Sequence, residues 1–449
     1  MRSMRLMLRK LRSLQTWHEG IFPVLCLLLS TSLRAQRIAT FRVQLPAATS
    51  GLDLPVSAHV ALDSAGNGKD RTYYLLELWH GARIPVPFQV DSSGNHTLHW
   101  MVKYRAGSEN RRVYDLMRRE GKWISIAKPA SFPMIIAHVD DSALTFRDGH
   151  RNLLRYWHAT VDPPPGVDSA FRRSGFIHPL WTPHGQPLTR IQPPDHRHHY
   201  GLWNPWTHVL FEKDTVDFWN LGDKKGTVRF AKFISVTSGP VYAEFQAAHE
   251  HVVLKKDGSR KVAMDEVQTV RVYKSSDSAD YYMMDITSQL RCATQSPVLL
   301  LTYRYGGLGW RATGVWNKNN SEVLTSEGKD RKTADGSKAR WCIVEGSLDS
   351  LAPDKYGDYG GAVMLSSPAN YNHPEPLRIW PENSNGRGDL FVNFDPTKDK
   401  DWLLEPGKTY TLKYRLVVFN GRFGKDKAES AWQYFADPPA VSLDLINHR

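Results

Sequence analysis

The sequence predicts an all-β protein, an antiparallel β-sandwich preceded by a smaller N-terminal β-sandwich domain. Three observations carry that prediction. Runs rich in β-branched and aromatic residues recur at spacings of about 10–15 residues with short polar turns between them, as serial antiparallel strands do. Gly and Pro together supply 59 of the 449 residues, which punctuates the chain with turns. No long amphipathic helix and no internal repeat interrupts the pattern. The length and the 41% hydrophobic content allow one large or two ordinary domains with real cores. An aromatic content of 11%, with 15 Trp, excludes disorder as the main state. Three Cys exclude a disulfide scaffold and a four-Cys zinc ribbon.

The chain opens with Arg2, Arg5, Arg9, Lys10 and Arg12, followed by IFPVLCLLLSTSL at 21–33. A basic start, a short apolar run and a small residue after it form an export signal, residues 1–35, cut near Ala35 or Gln36. The run is shorter than the roughly 20 residues a spanning helix needs. An uncleaved anchor is the alternative. Cys26 sits inside the run rather than at its end, which argues against a lipoprotein anchor. No later segment reaches spanning length, so the expected location is periplasmic or secreted. The formal charge is +12, but six Lys/Arg and one acid lie in residues 1–35, which leaves +7. The remaining basic residues are dispersed, so nucleic acid is not an expected partner.

A small β domain is expected over 37–125. Residues 37–44 (RIATFRVQ), 56–62 (VSAHVAL) and 72–78 (TYYLLEL) read as strands, with SGLDLP, SAGNGKD and SSGN as turns. RDGHRNLLRYW suggests a transition near 145–157. The main sandwich domain is expected over 150–437. Its period-2 strands lie at 227–236, 241–249, 266–273 and 281–289, then at 297–304, 339–346, 361–366, 389–394 and 409–418. ESAWQYF at 429–435 reads as a short helix. Glu266 and Asp285 fall on these strands, where a carboxylate is expected to face solvent. Cys292 and Cys342 remain after export, either as a pair or as two buried thiols.

The chemistry concentrates in 174–220. Six of the 18 His fall within 31 residues: His178, His184, His196, His198, His199 and His208. Trp181, Trp203, Trp206 and Trp219 accompany them, as do Asp195, Asp214 and Asp217. Six Pro between 179 and 205 make the segment irregular, and irregular loops on a rigid scaffold are where binding and catalysis sit. Two chemistries fit. If the DHRHH stretch is extended, His196 and His198 share a face, and with Asp195 they could hold a divalent metal. Alternatively, imidazoles and carboxylates bind sugar hydroxyls and move protons, and Trp faces stack on pyranose rings. In the second reading Asp195, His196, His198 and His199 are catalytic. His178, Trp203, Asp217, Trp219, Arg304, Arg331 and His373 then line the substrate. The last three come from YRYGGLGWR, TSEGKDR and NYNHPEPLRIW, each equally readable as a structured loop.

The segment FIHPLWTPHGQPLTRIQPPDHRHHYGLW resembles a bacterial family of uncharacterised function that carries the legacy label "methane oxygenase PmoA". The resembling motifs are HPL at 178–180, TP at 182–183, LT at 188–189, PPDHRHHYGLW at 193–203 and VDFWN at 216–220. Weaker pieces follow in order: GGLGWR at 306–311, LTSEGKDR at 324–331, ARW at 339–341, HPEP at 373–376 and a TYTLKYRL strand ending at Leu416. The resemblance covers roughly 150–437 and departs at Leu377-Arg378. It implies a secreted β-sandwich similar to the galactose-mutarotase-like supersandwich, in bacteria that degrade complex polysaccharides. The label itself fits poorly, because a methane oxygenase subunit spans the membrane many times. The expected function is therefore a secreted carbohydrate-active protein. It would be an enzyme of hydrolase, lyase or epimerase type acting on a glycoside or modified sugar. A non-catalytic carbohydrate-binding envelope protein and a metal-dependent enzyme are the alternatives.

Overall fold

The computed structural model describes residues 35–46, 51–60, 71–91, 96–105, 107, 110–120, 132–276, 279–348 and 359–445. Apart from Ala35, the predicted export signal lies outside the described residues. The protein is all-β and its sheets are antiparallel; Lys425–Ala436 is the one α-helix among the described residues.

Two large sheets form the main sandwich. The first has nine strands, in the order Lys338–Ala339, Glu375–Ile379, Phe391–Phe394, Leu308–Arg311, Leu202–Trp203, Phe176–Leu180, Arg151–Trp157, Ala143–Asp148 and Ile135–Val139. The second has eight: Gly226–Thr237, Tyr242–Leu254, Arg260–Tyr273, Tyr281–Cys292, Tyr410–Asn420, Tyr359–Ser366, Trp341–Ser347 and Ser321–Thr325. One continuous core lies between them, with Tyr156, Ile177, Leu202, Trp310 and Val392 from the first sheet meeting Phe245, Val270, Met284, Ile286 and Leu416 from the second. Strand residues alternate between faces, so the neighbours of these core residues point away from it. On the nine-stranded sheet those neighbours are Trp157, Phe176, Trp203 and Phe391, and they join a second apolar cluster on the outer face. That outer cluster carries the candidate site. The outer face of the eight-stranded sheet is covered by the helix, through Ala428 and Ala431 against Trp341, Ile343 and Val417.

The N-terminal sheets, of five and three strands, share a core of Phe41, Trp100, Tyr114 and Leu116. The strand Val441–Leu445, which the sequence pattern does not show, pairs with Gln36–Gln44 and brings the chain's end back to this unit. The stretch read as a transition near 145–157 is a hairpin. Ala143–Asp148 pairs with Arg151–Trp157, and the two-residue Gly149-His150 loop turns the chain with Gly149 at φ +60°. Cys292 and Cys342 are free thiols. Among the described residues no helix is long and apolar enough to cross a membrane.

Glu266 does not face solvent as expected; it is 1% exposed, inside the sandwich. Val270 and Val272 set the inward parity of its strand, and two steps back along the same face lie Gln268 and Glu266. His249 and His251 occupy the facing strand at the same parity, and Glu266 pairs in register with His249. The carboxylate accepts from Asn204 Nδ2 (2.9 Å) and Ser288 Oγ (2.7 Å) on one oxygen, and on the other it meets His251 Nε2 (3.0 Å) and His249 Nδ1 (3.6 Å). Tyr156 Oη closes the chain on His249 Nε2 at 2.5 Å, tying the nine-stranded sheet to the eight-stranded one. Asp285 is partly covered and forms a two-point ion pair with Arg415 (2.6 and 2.8 Å). Because removing one partner of a buried polar network strands the others, Glu266→Ala is expected to lower the unfolding free energy by about 3–5 kcal/mol. Glu266→Gln, which keeps an accepting oxygen, should cost less. Urea titration checks both, and a loss below about 1 kcal/mol for the alanine variant would contradict this reading.

Candidate functional site

The outer cluster of the nine-stranded sheet is an aromatic floor of Phe176, Tyr200, Trp203, Trp219, Trp380 and Phe391. Residues 192–199 fold over it as a loop closed by Gln192 N donating to His199 O at 2.8 Å. Within the loop, His196 N donates to Pro193 O and His199 N to His196 O, each at 3.1 Å, giving two successive turns. The loop is therefore not extended, because Pro193 and Pro194 offer no N–H to a sheet ladder. His196 and His198 do not share one flat face; their rings are 5.4 Å apart and tilted by 74°. Gly201 ends the loop at φ +67°, where a Cβ would lie 2.3 Å from Ile177 O, so only glycine lets the strand rejoin the sheet.

Three of the six histidines converge. His196 lies 4.8 Å from His199 and 4.6 Å from Trp380 between ring centres, and His198 lies 4.9 Å from His199. His199, 1% exposed, sits against Trp203, Trp219 and Phe391. His196 Nδ1 is 2.9 Å from Asp195 Oδ2. That oxygen also accepts from Arg311 Nη2 (2.7 Å) and Asn385 Nδ2 (2.9 Å). Arg311 bridges to Asp389 at 3.2 Å, and Arg387 pairs with the other oxygen of Asp389 at 2.5 Å. Arg190 approaches both carboxylates, at 4.0 Å from Asp195 and 3.7 Å from Asp389.

Partial burial opposes ionisation of Asp195, but the His196 and Arg311 hydrogen bonds and the Arg311 charge outweigh it and hold its pKa below the usual carboxylate value. The imidazoles go the other way. Burial, then the neighbouring His196 and Arg311, pulls His198 down to about 4, and burial alone takes His178 to about 4. His199 lies well below its usual value for the same reasons, burial first and then His198 and Arg311. At neutral pH the site thus holds an ionised, arginine-pinned carboxylate beside the neutral imidazoles of His198 and His199.

The other expected site residues divide. His178 stands on the strand beside the loop with Nδ1 2.9 Å from Thr189 Oγ1. Trp203 and Trp219 are 1% and 2% exposed, so they pack as floor and offer no open face for stacking. Asp217 is buried, and its oxygens accept from the backbone of Trp219 and Asn220 and from the Asn220 amide; it shapes the turn beneath Trp219 rather than lining a wall. Arg331 is also buried and donates to the carbonyls of Trp380, Gly388 and Asp389, so it holds the loop that supplies Trp380 and Asp389. Arg304 is exposed over the rings of Tyr303 and Tyr305, one ring removed from the floor. His373 belongs elsewhere, 3.4 Å from Ser366 Oγ and stacked on Trp432. His184 pairs with Asp280, and His208 stacks on Tyr303.

The metal set Asp195, His196 and His198 is not assembled, since Asp195 Oδ2 is taken up by Arg311, Asn385 and His196. Among the described residues no three His, Cys, Asp or Glu side chains are placed to hold one metal ion. Sequence reasoning missed Asp389, Asn385 and Arg190, and it quoted Arg311 and Trp380 without assigning them to the histidines. Most of them carry only the signal of a polar residue beside apolar ones and Asn385 lies in a polar turn, patterns too common to single out.

The family described as "Family of unknown function (DUF6807)" matches residues 143–433. The chain belongs to that family. Within the DUF6807 region fall the imidazole loop, Arg311 and Asp389 alike. The match speaks to an uncharacterised family and leaves the legacy label unsupported. No curated protein sequence matches the chain. Among solved structures, a polysaccharide lyase is similar over 66% of this chain and 34% of its own, with 11% identity and a TM-score of 0.27. The GalM/aldose epimerase homologue from C. elegans is similar over 66% of this chain and 99% of its own, with 10% identity and a TM-score of 0.29. The chain spans about a third of the lyase's length. Likenesses this weak carry no argument; the all-β architecture rests on the protein's own sheets.

A pH dependence follows from the neutral imidazoles. His178 and His198 have folded pKa values near 4 against an ordinary 6.5, so the unfolded chain takes up protons first as pH falls. Stability should be complete above about pH 6.5 and fall progressively toward pH 4. The urea midpoint is expected to drop between pH 7 and pH 5, and His198→Asn to flatten the drop. An equal midpoint at both pH values would exclude buried neutral imidazoles.

Proposed function

We propose that the protein is an exported carbohydrate-active enzyme whose Asp195–His196 pair moves a proton at a sugar carbon beside a carbonyl or carboxylate group. The observation that carries this is the 2.9 Å contact of His196 Nδ1 with a carboxylate itself held by Arg311 and Asn385. Such an orienting carboxylate keeps the proton on Nδ1 and leaves Nε2 as the base. His198, neutral beside it, accepts a hydrogen bond from a substrate hydroxyl. Arg190, partly exposed beside Asp195, would supply positive charge to an enolate, while the buried Arg311 holds Asp195. Lyase or epimerase chemistry fits better than hydrolysis by two carboxyl groups, which needs one of them protonated, whereas Asp195 is held ionised. The sugar class is supported by the half-buried rings of Tyr305 and Trp157 at the rim of the floor and by the family resemblance of the loop. Non-catalytic saccharide binding is favoured by one observation: clefts of about 670 and 540 Å³ lie away from the imidazoles.

Incubation with a glycan panel that includes 3-keto, uronic and unsaturated derivatives tests the proposal. Turnover of one member is expected, with His196→Ala lowering kcat by about 10²–10⁴ and leaving the circular dichroism spectrum unchanged. Asp195→Asn should lower kcat in the same direction. Micromolar binding without turnover of any member would sink the enzyme reading and leave the binding one.

A further inference from the structure

The cleft of about 670 Å³ is built by residues 168–174, the turn around Leu221–Asp223, the start of strand Gly226–Thr237 and the hairpin 252–260. Its lining carries Arg172, Arg173, Lys224, Arg229, Lys255 and Arg260 against one carboxylate, Asp168. Three of these cations are spoken for: Arg172 pairs with Asp162, Lys224 with Asp168 and Arg229 with Glu250. Among the described residues Arg173, Lys255 and Arg260 make no direct ion pair with a carboxylate, although Lys255 interacts with the charges of Asp257 and Glu212. Asp257, nearest in sequence on the hairpin, is turned onto Ser259.

Arg173 is the decisive group. It is 3% exposed, its guanidinium makes no side-chain hydrogen bond among the described residues, and its Nε is buried without a partner. The Tyr200 ring lies 6.0 Å from it, and Tyr156, His251 and the buried Glu266 carboxylate are near enough to interact with its charge. Burial lowers its pKa to about 10, against the opposing effects of Tyr200, Glu266 and Tyr156, none of which forms a direct ion pair or hydrogen bond with it. A buried cation is normally paired, and one left unpaired beside an open cleft marks the place of an anion. The apolar side chains of Leu221, Val228, Val252 and Leu254 line the same space. A ligand that suits both halves has a carbon skeleton and oxyanion groups. Leu221 also belongs to the aromatic floor under His199, so the cleft and the imidazole loop share that cluster.

We propose that this cleft is an anion-binding subsite for an acidic saccharide, with Arg173 on the first carboxylate or sulfate and Lys255 and Arg260 on the next. The anion part stands on the cleft alone, and the saccharide part rests on the reading in Proposed function. Calorimetric titration at low and high salt compares tetragalacturonate, a heparin-derived sulfated tetramer, the fully methyl-esterified galacturonate tetramer and inorganic phosphate. One acidic tetramer should bind one to one and weaken with salt, the ester should not bind, and phosphate should bind far more weakly. Lys255→Gln/Arg260→Gln, at the surface, should weaken the acidic tetramer about tenfold or more, as should Arg173→Gln if it folds. Binding of both acidic tetramers no tighter than the ester, or full binding by the double variant, would overturn the cleft. Phosphate binding as tightly as the tetramers would overturn the saccharide assignment. None of these results depends on turnover, so the enzyme reading stands or falls separately.

Discussion

Each step along a strand sends successive side chains to opposite faces, and in the nine-stranded sheet both faces must be covered. Tyr156, Ile177, Leu202 and Val392 face the sandwich interior, while Trp157, Phe176, Trp203 and Phe391 face outward. An outward row of that size cannot remain in water, so another segment has to lie over it. The segment that does so is the proline-broken loop 192–199 with the stretch bearing Trp380 and Asp389. The imidazole cluster is where it is because this second apolar face needed a cover.

That cover sets the electrostatics. A loop lying on tryptophan and phenylalanine rings desolvates its own histidines, which favours their neutral forms. The same burial would penalise Asp195, yet Arg311, buried beside it, keeps the carboxylate charged. Arg331 works one layer further out, gripping three backbone carbonyls so that Trp380 and Asp389 stay against the loop. Positive charge is therefore used in two ways on the same side of the molecule. At the imidazole loop the arginines are matched by Asp195 and Asp389, whereas in the neighbouring cleft Arg173 makes no direct ion pair among the described residues and has only the charge of the buried Glu266 nearby.

Period-2 patterning made most of the fold legible. The expected strands from 227 to 289 correspond to Gly226–Thr237, Tyr242–Leu254, Arg260–Tyr273 and Tyr281–Cys292, and the short helix to Lys425–Ala436. What the pattern misjudged was the value of a charge within it. A glutamate at an alternating position is normally outside, but Glu266 lies on the parity of Val270 and Val272 and is satisfied by four polar partners, Asn204, Ser288, His249 and His251. The site was legible as a segment and not as a geometry: three imidazoles converge, while His184, His208 and His373 attach to other parts of the surface.

By itself the sequence determined the all-β class and the segment in which histidine and tryptophan are concentrated. Both are properties of neighbouring residues, alternation in one case and composition in the other. Tertiary structure alone decided which groups meet. Asp195 finds Arg311 116 residues away and Asn385 190 residues away, and Glu266 finds Asn204 62 residues away. Contacts at such separations depend on which strands become neighbours and on which face is buried, and local patterning encodes neither.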